Sequence, residues 1–587
     1  MKKLVFLLGF LSFVIIIQAQ TATMPSVGDG SANNPYQISS INNLYWIQQD
    51  SNQWVKHYIQ TANIDASLTQ SWNAGKGWSP IGWAISEVDY HAFTGTYNGK
   101  GYTISNLYCN RPNDFLTGLW GLTYGATIDS LGLINVNIVG NDEAVGALIS
   151  MCANTTVRHC YSTGIISGIS GVGGLIGNTF WDSYIENCYS SCAVSCSEEK
   201  VGGLIGKNES PIYYSYATGN VLCTGTQDWN NQVGGLVGVN KSIIKHSYSS
   251  GNVIGSSKVG GLVGENTGED ETFALIDSCY STGQVASIGS IEWGNIGGLV
   301  GTNRSATIIN SYAIGHINCH NTCSQVGGLC GNNEMSTINN CYAKGNVVGG
   351  GSLGGLVGQN TTNGNINNSY SRGNITGQSN NVGGLVGRNT TLIDYCYSTG
   401  TAFSYGCYGG LSGSNEEAGT ITNCFWDITT SGLSSGLGYD QAITYNVVSK
   451  TTIEMKNQST FTNSGWDFVG ETSNGTEDIW RILTSINNGY PCLFWQNNEV
   501  GINNIERSFG FSIYPNPSSN EVCISLKNEN KDNLKLNVYN QLGMIVKTVL
   551  INNTINRINV SELNNGIYFL KIESQEGISC KKLIIQR

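Results

Sequence analysis

Apolar positions in the middle of this chain recur inside a fixed frame of glycine. Residues 172–177 read Val-Gly-Gly-Leu-Ile-Gly, and the pattern returns at 201–206, 233–238, 259–264, 296–301, 326–331, 353–358, 382–387 and, worn, at 408–413. Copies begin 26 to 37 residues apart. Self-similarity on this scale predicts stacked units, each too small to bury its own apolar face. One repeat has three parts: 326–331 with Asn333 behind it, then 338–343 (Ile-Asn-Asn-Cys-Tyr-Ala), then 345–348 leading to the next Gly-Gly. Each part has strand length, each junction carries Gly or Asn, and no 3.6-residue stripe appears. The pattern predicts an all-β chain built on a parallel β-solenoid.

Within the repeat, the residue before each tyrosine is Cys or Ser and the one after it is Ser or Ala. Alternate residues of a strand share a face. The monotonous small set is expected inward, which puts a ladder of tyrosines outward: Tyr161, Tyr189, Tyr216, Tyr248, Tyr280, Tyr312, Tyr342, Tyr370 and Tyr397. The alternative is that a corner resets the parity and the rings join the core. The asparagine two places after the last glycine (208, 240, 266, 303, 333, 360, 389, 415) suits a corner with positive φ. Stacked coil on coil, its amides can also bond one another.

The flanks differ from the repeats. Residues 21–110 hold five tryptophans and are expected to form an N-terminal capping segment with its own core, because an uncapped solenoid exposes strand edges. A helix is expected over 44–49, strands over 58–64 and 93–97, and an Asn-Gly hairpin at 97–102. Degenerate first copies at 118–121 and 145–148 open the array, placed at 111–430. A C-terminal cap follows at 431–496 and a linker at 497–511. Residues 512–587 alternate as six or seven short strands, a small β-sandwich. Insertions at 227–231, 268–272 and 288–295 are expected as surface loops.

Composition narrows the function classes. The chain has 587 residues, 76 Gly, only 8 Pro, 12% charged residues and a net charge of −11. The acidic balance argues against nucleic-acid partners. Residues 1–20 carry Lys2 and Lys3, an apolar run and a small-residue site, the pattern of a signal peptide. No later apolar run is long enough to span a bilayer, so export as a secreted or outer-surface protein without a transmembrane segment is expected. Of the 18 Cys, those at 160, 188, 279, 341, 396 and 424 share a position that is Ser in other repeats. They read as small buried side chains rather than disulfides.

Candidate chemistry is sparse. No His-Glu-x-x-His is present. His316, Cys319, His320 and Cys323 offer three readings: a zinc cluster, a Cys319–Cys323 disulfide, or no special role. Cys192 and Cys196 share the disulfide option. Residues 432–436 match Gly-x-Ser-x-Gly in a loop without the strand–turn–helix setting that a nucleophile needs. The acids Asp182, Asp228, Asp270, Asp277 and Asp394 occupy no shared repeat position, unlike a β-helix hydrolase. No catalytic residue, metal or cofactor is assigned, and the expectation is a non-enzyme.

Two resemblances complete the reading. The Val-Gly-Gly-Leu-Val-Gly copies with their Asn and the Cys/Ser-Tyr-Ser/Ala segments resemble GLUG-motif repeats. That family includes bacterial surface and adhesin-like proteins and some IgA-specific peptidases. The C-terminal segment carries Tyr514-Pro515-Asn516-Pro517, Gly543, Gly566, Tyr568 and Lys581-Lys582 in their expected places. It resembles the type A sorting domain of the type IX secretion system. This implies a Bacteroidetes-type cargo that engages the type IX machinery. The outward tyrosine stack points to adhesion or binding of glycans or host matrix proteins, with Tyr216, Tyr248, Tyr280, Tyr312, Tyr342 and Tyr370 as candidate contacts. The alternatives are a passive surface spacer and, behind it, a polysaccharide-degrading enzyme.

Overall fold

Each copy of the glycine frame opens one coil of a parallel β-solenoid. The computed structural model describes residues 20–586 apart from 85–88, 141–143, 226–230, 269–272, 289–293, 379, 417, 499–510, 517, 527–533, 541–544, 552, 554 and 575–576. All of the expected signal peptide except Gln20, most of the linker and most of the three insertions lie outside the described residues.

A coil contains five short strands where the sequence suggests three. One full turn runs through a valine strand (Gln325–Gly327), an asparagine strand (Cys330–Glu334), an isoleucine strand (Thr337–Asn339), a tyrosine strand (Tyr342–Ala343) and a return strand (Val347–Gly349). Each pairs in parallel with its counterpart one coil on: Val326 with Leu353, Asn333 with Asn360, Ile338 with Ile366, Tyr342 with Tyr370, and Val347 with Ile375. The extra division comes from corners. The residue before each Cys or Ser is left-handed, for example His246 (φ 51), Asn310 (φ 49), Asn340 (φ 54) and Tyr395 (φ 51), so the isoleucine strand ends there. Asparagine strands form a twelve-stranded sheet from Trp120–Tyr124 to Leu437–Asp440, and the other strands wrap the remaining faces.

The interior is aliphatic. Val326, Leu329, Ile338, Cys341, Ala343 and Val347 have no solvent exposure, and one continuous cluster runs from Tyr36 to Cys424. Burial of a Val, Leu or Ile side chain contributes about 1.5–3 kcal/mol, and here neighbouring coils supply the covering surface. The second glycine of each pair is explained by space, not by turn geometry. A Cβ on Gly298, Gly328 or Gly355 would run into the carbonyl oxygen of Gly328, Gly355 or Gly384. It would also lie 3.0 Å from the Cβ of Ala313, Ala343 or Ser371. None of these glycines has a left-handed φ. The same squeeze explains why only Ser or Ala follows the tyrosine.

The repeat asparagines are strand residues, and the expected positive φ falls elsewhere, at Ser305 (φ 47), Met335 (φ 50) and Thr362 (φ 48). Their amides instead form a buried ladder. Asn208 donates to Asn240 (2.8 Å), Asn240 to Asn266 (2.8 Å), Asn266 to Asn303 (2.8 Å), Asn303 to Asn333 (3.0 Å), Asn333 to Asn360 (2.8 Å), Asn360 to Asn389 (3.0 Å) and Asn389 to Asn415 (2.9 Å). Each amide has no solvent exposure, where an unpaired group costs about 1–3 kcal/mol.

The N-terminal segment differs from expectation: it is part of the solenoid. Tyr36–Ile38 pairs with His57–Gln60, that strand with Thr96–Asn98, and that in turn with Thr127–Asp129, all in parallel. Its aromatics join the common core in place of a separate one. The Asn-Gly hairpin is likewise replaced by a corner. Lys100 (φ 52) and Gly101 (φ 82) bend the chain, and the flanking strands bond to other coils, which already satisfy their backbone groups. The expected helix is present over Ile41–Gln49, with Ser40 as its cap and Leu44 and Ile47 buried.

Residues Asn497–Arg587 form a second compact unit. A three-stranded antiparallel sheet (Phe511–Tyr514, Glu521–Leu526, Ile555–Asn559) and a four-stranded one (Leu534–Tyr539, Ile545–Ile551, Gly566–Ser574, Gly577–Ile585) enclose one core, a β-sandwich.

Candidate functional site

The tyrosine strand presents nine rings, one per coil, in a single stack. Centroids from Tyr161 through Tyr312 to Tyr342 are 4.8–4.9 Å apart with planes within 7°. The stack continues to Tyr370 at 5.1 Å and Tyr397 at 4.9 Å. The spacing is that of hydrogen-bonded strands, so strand pairing sets the stacking. The rings point away from the aliphatic core, and their small neighbours, such as Ser247 and Ser249 around Tyr248, point into it. Ring faces are consumed by the next tyrosine, so the ladder offers edges and hydroxyls, not flat platforms. Burial raises the phenol pKa of Tyr161, Tyr216 and Tyr248, and that of Tyr189 to about 12.

Half of this ladder is covered. After the last coil, helices Thr452–Met455 and Gln458–Thr462 and the antiparallel pair Trp480–Ile482 with Pro491–Leu493 fold back along the tyrosine face. Tyr342, Tyr370 and Tyr397 share a buried cluster with Phe461, Trp466, Trp480 and Tyr490. The Trp495 ring lies 5.7 Å from Tyr342 and 6.2 Å from Tyr312, and its indole N–H donates to Asn340 O at 3.1 Å. Tyr397 Oη donates to Pro491 O (2.6 Å), and Gln496 Nε2 donates to Tyr370 Oη (2.8 Å). Arg372 Nη1 reaches Asn487 O at 2.9 Å.

This arrangement alters two expectations. The C-terminal cap lies on the side of the solenoid, while the last coil keeps Ile443 65% and Tyr445 71% exposed. Of the six candidate contact tyrosines, Tyr216, Tyr248 and Tyr280 are half-buried and open, Tyr312 borders the cover, and Tyr342 and Tyr370 are buried beneath it. The open stretch also includes Tyr161 and Tyr189. The cap's place on the tyrosine face is not legible in sequence, because its aromatics, at 461–495, are far along the chain from the rings that they touch. Their density was the available signal.

Other candidates take structural places. Cys196 is disulfide-bonded to Cys223, its register partner one coil on, and Cys192 is a free buried thiol. The spacing in sequence offered Cys192 as the partner of Cys196 instead, but cross-coil register decides the pairing. Cys319 and Cys323 are free and buried, with a hydrogen bond between them that holds Cys323 low while burial holds Cys319 high. His316 Nδ1 accepts the Asn346 N–H, and His320 meets Thr322. Among the described residues no group of three or more His, Cys, Asp or Glu could hold a metal ion. At 432–436, Gly432 closes helix Ile428–Ser431 and Ser435 Oγ donates to Leu437 O. Asp277 pairs with Lys245, and Asp394 accepts from Thr422 and Asn423, which leaves no converging carboxylate pair there. Asp182 is exposed, and Asp228 and Asp270 lie outside the described residues.

In the sandwich unit, Tyr514, Pro515, Asn516 and Lys581 are exposed, Asn516 accepts the Ile584 N–H, and Tyr568 Oη donates to Asn564 O. Gly566 starts a strand. Pro517, Gly543 and the Lys582 side chain lie outside what is described.

Comparison with known proteins agrees with this division. Residues 512–586 match the family described as the secretion system C-terminal sorting domain. Residues 322–348, 349–376 and 378–402 match the GLUG motif. Halomucin of Haloquadratum walsbyi (strain DSM 16790 / HBSQ001) is 38% identical over 173 residues, covering 29% of this chain and 2% of that protein. Immunoglobulin A1 proteases of Streptococcus pneumoniae serotype 4 (strain ATCC BAA-334 / TIGR4) and Streptococcus sanguinis are 26% and 29% identical over 226 residues, 38% of this chain and 8% and 9% of theirs. The chain thus spans less than a tenth of these relatives. A solved IgA1 protease structure is 20% identical with a TM-score of 0.28, covering 56% of this chain and 21% of that one. The sorting domain makes this a secreted or cell-surface protein that engages the secretion machinery. Among the described residues no helix is long and apolar enough to cross a membrane.

Proposed function

We propose that this chain is a non-enzymatic surface adhesin and that the open ladder, Tyr161 to Tyr280, is its docking face for a protein partner. The supporting observation is the cover on the other half of the same ladder. There, an aromatic segment lies along the stack, takes a phenol hydrogen bond on a backbone carbonyl at Pro491 and sets Trp495 beside two rings. The upstream coils repeat the same edges and hydroxyls without that cover. An extended stretch carrying Trp or Phe meets both requirements: aromatic faces for ring edges, and carbonyls for hydroxyls. Sugar rings fit this ladder less well, because stacking has already occupied the tyrosine faces.

The test is binding of the mature chain to extracellular matrix proteins and to a glycan array. A matrix protein is expected to bind. A Tyr216→Ser, Tyr248→Ser, Tyr280→Ser triple variant should weaken that binding at least about tenfold, since tyrosine is enriched among the few interface residues that carry about 2 kcal/mol or more. Binding that survives the triple variant would remove the ladder from the account. Absence of any ligand would leave the solenoid as a spacer.

A further inference from the structure

The first coils carry a cleft unrelated to the tyrosine face. It has a volume of about 370 Å³ and is lined by Gln48, Gln49, Trp54, Trp83, Asp114 and Phe115, among others. Gln48 and Gln49 end helix Ile41–Gln49, and Trp83 stands on a short antiparallel ribbon, Trp83–Ala84 with Tyr90–His91.

Three features of this cleft are unusual for plain surface. Trp83 and Phe115 each leave 39% of their surface exposed and line the same cleft, so two apolar rings stand together at one opening, and an apolar patch is more informative than a single exposed side chain. The Trp83 indole is braced by His91, with ring centroids 5.1 Å apart and planes 10° from parallel, which holds its orientation. Asp114 is fixed by a buried arginine: Arg111 Nη1 lies 2.7 Å from Asp114 Oδ2, and Arg111 Nε donates to Trp78 O at 2.6 Å. Asp114 Oδ1 has no protein partner among the described residues. The arginine cancels the aspartate's charge, so the cleft offers a strong acceptor without a net charge to attract ions. The Gln48 and Gln49 amides, joined to each other at 2.5 Å, add further donors and acceptors at the wall.

We infer that this cleft binds a neutral saccharide, of a size near one or two pyranose units. The C–H face of a pyranose would rest on the Trp83 and Phe115 rings. A pair of neighbouring hydroxyls would donate to Asp114, and the glutamine amides would meet the rest. Such a mixture of aromatic walls and a few placed polar groups is how small-molecule clefts achieve orientation, and the volume lies within their usual range of about 300–1,000 Å³. Acidic sugars are disfavoured, because an ionised carboxylate only accepts and cannot donate to the Asp114 acceptor as a hydroxyl does.

The experiment is calorimetric titration of the mature full-length chain, followed also by tryptophan fluorescence. The panel contains glucose, galactose, mannose, xylose, their β-linked disaccharides, and glucuronate. At least one neutral sugar is expected to bind with a fluorescence change, and glucuronate is expected not to bind. Trp83→Ala and, separately, the shape-conserving Asp114→Asn should each weaken binding at least about tenfold, the loss of one charge-assisted bond or stacking face. Unfolding midpoints of both variants check that the fold is retained. The Tyr216, Tyr248 and Tyr280 triple variant should bind the sugar unchanged, which separates this cleft from the ladder. No binding by any neutral sugar, equal binding of glucuronate, or binding that survives both cleft variants would overturn the inference.

Discussion

Asn303 shows how much depends on single side chains in this fold. It accepts from Asn266 and donates to Asn333, with no solvent to replace either partner. Asn303→Ala should cost about 2–4 kcal/mol in urea unfolding, since it strands two buried amides. Asn346→Ala, in the exposed ladder where Asn346 accepts the Asn374 N–H at 3.0 Å, should cost under about 1 kcal/mol, because water takes its place. Comparable losses in the two variants would contradict the buried-ladder account. The phenols and thiols set an alkaline limit. Burial pushes Tyr189 and Cys188 both up to about 12, above their unfolded values of about 10 and 8.5. The folded state therefore keeps protons that the unfolded chain loses. Stability should be full below about pH 8 and fall as pH rises towards about 12. Unfolding midpoints measured across that interval, with tyrosinate absorbance alongside, check both the sign and the window.

At the scale of elements, corners and register decide more than strand propensity does. From Tyr184 to Ser398 the isoleucine and tyrosine strands are two to four residues long and survive because each is paired above and below. The disulfide follows the same rule, joining Cys196 to the residue in register with it one coil on. Non-reduced peptide mapping should recover the Cys196–Cys223 cross-link, while Cys160, Cys188 and Cys341 should react with an alkylating agent only after unfolding. A Cys192–Cys196 peptide would refute the register. The cover over the ladder is an element with its own core. Trp466 has no exposure, donates to Asn423 O at 3.0 Å and lies 4.8 Å from Trp480 and 4.9 Å from Phe461. Trp466→Ala should remove about 3–5 kcal/mol from the cover. Limited proteolysis should then cut within 451–496 while the coils upstream stay intact, as expected where coils contact only their neighbours. Simultaneous loss of the whole solenoid would show a cooperativity that this packing does not provide.

For the whole molecule, delivery rests with the sorting unit. Deletion of 512–587 should abolish surface or extracellular delivery and leave the chain inside the outer membrane, measured by protease shaving and immunoblot of the fractions; unchanged delivery would contradict the assignment. The solenoid was readable along the chain because the glycine frame repeats, and so were the small Cys/Ser position and the outward parity of Tyr216, Tyr248 and Tyr280. A period and a parity are one-dimensional properties, and spatial neighbours in a solenoid are one period apart in sequence. Three features were not readable that way. Residues 21–110 carry no glycine frame, yet they pair in register with the first coils. The segment 451–496 bends back across four coils and buries Tyr342 and Tyr370. Trp83, Phe115 and Asp114 meet in a cleft although neither spacing nor motif links them. The amino-acid sequence by itself determined the coil, because a local repeat prescribes its own neighbours. Only the tertiary structure decided which surface stayed open, because that depends on where non-repeating segments land, and long-range packing sets their landing place.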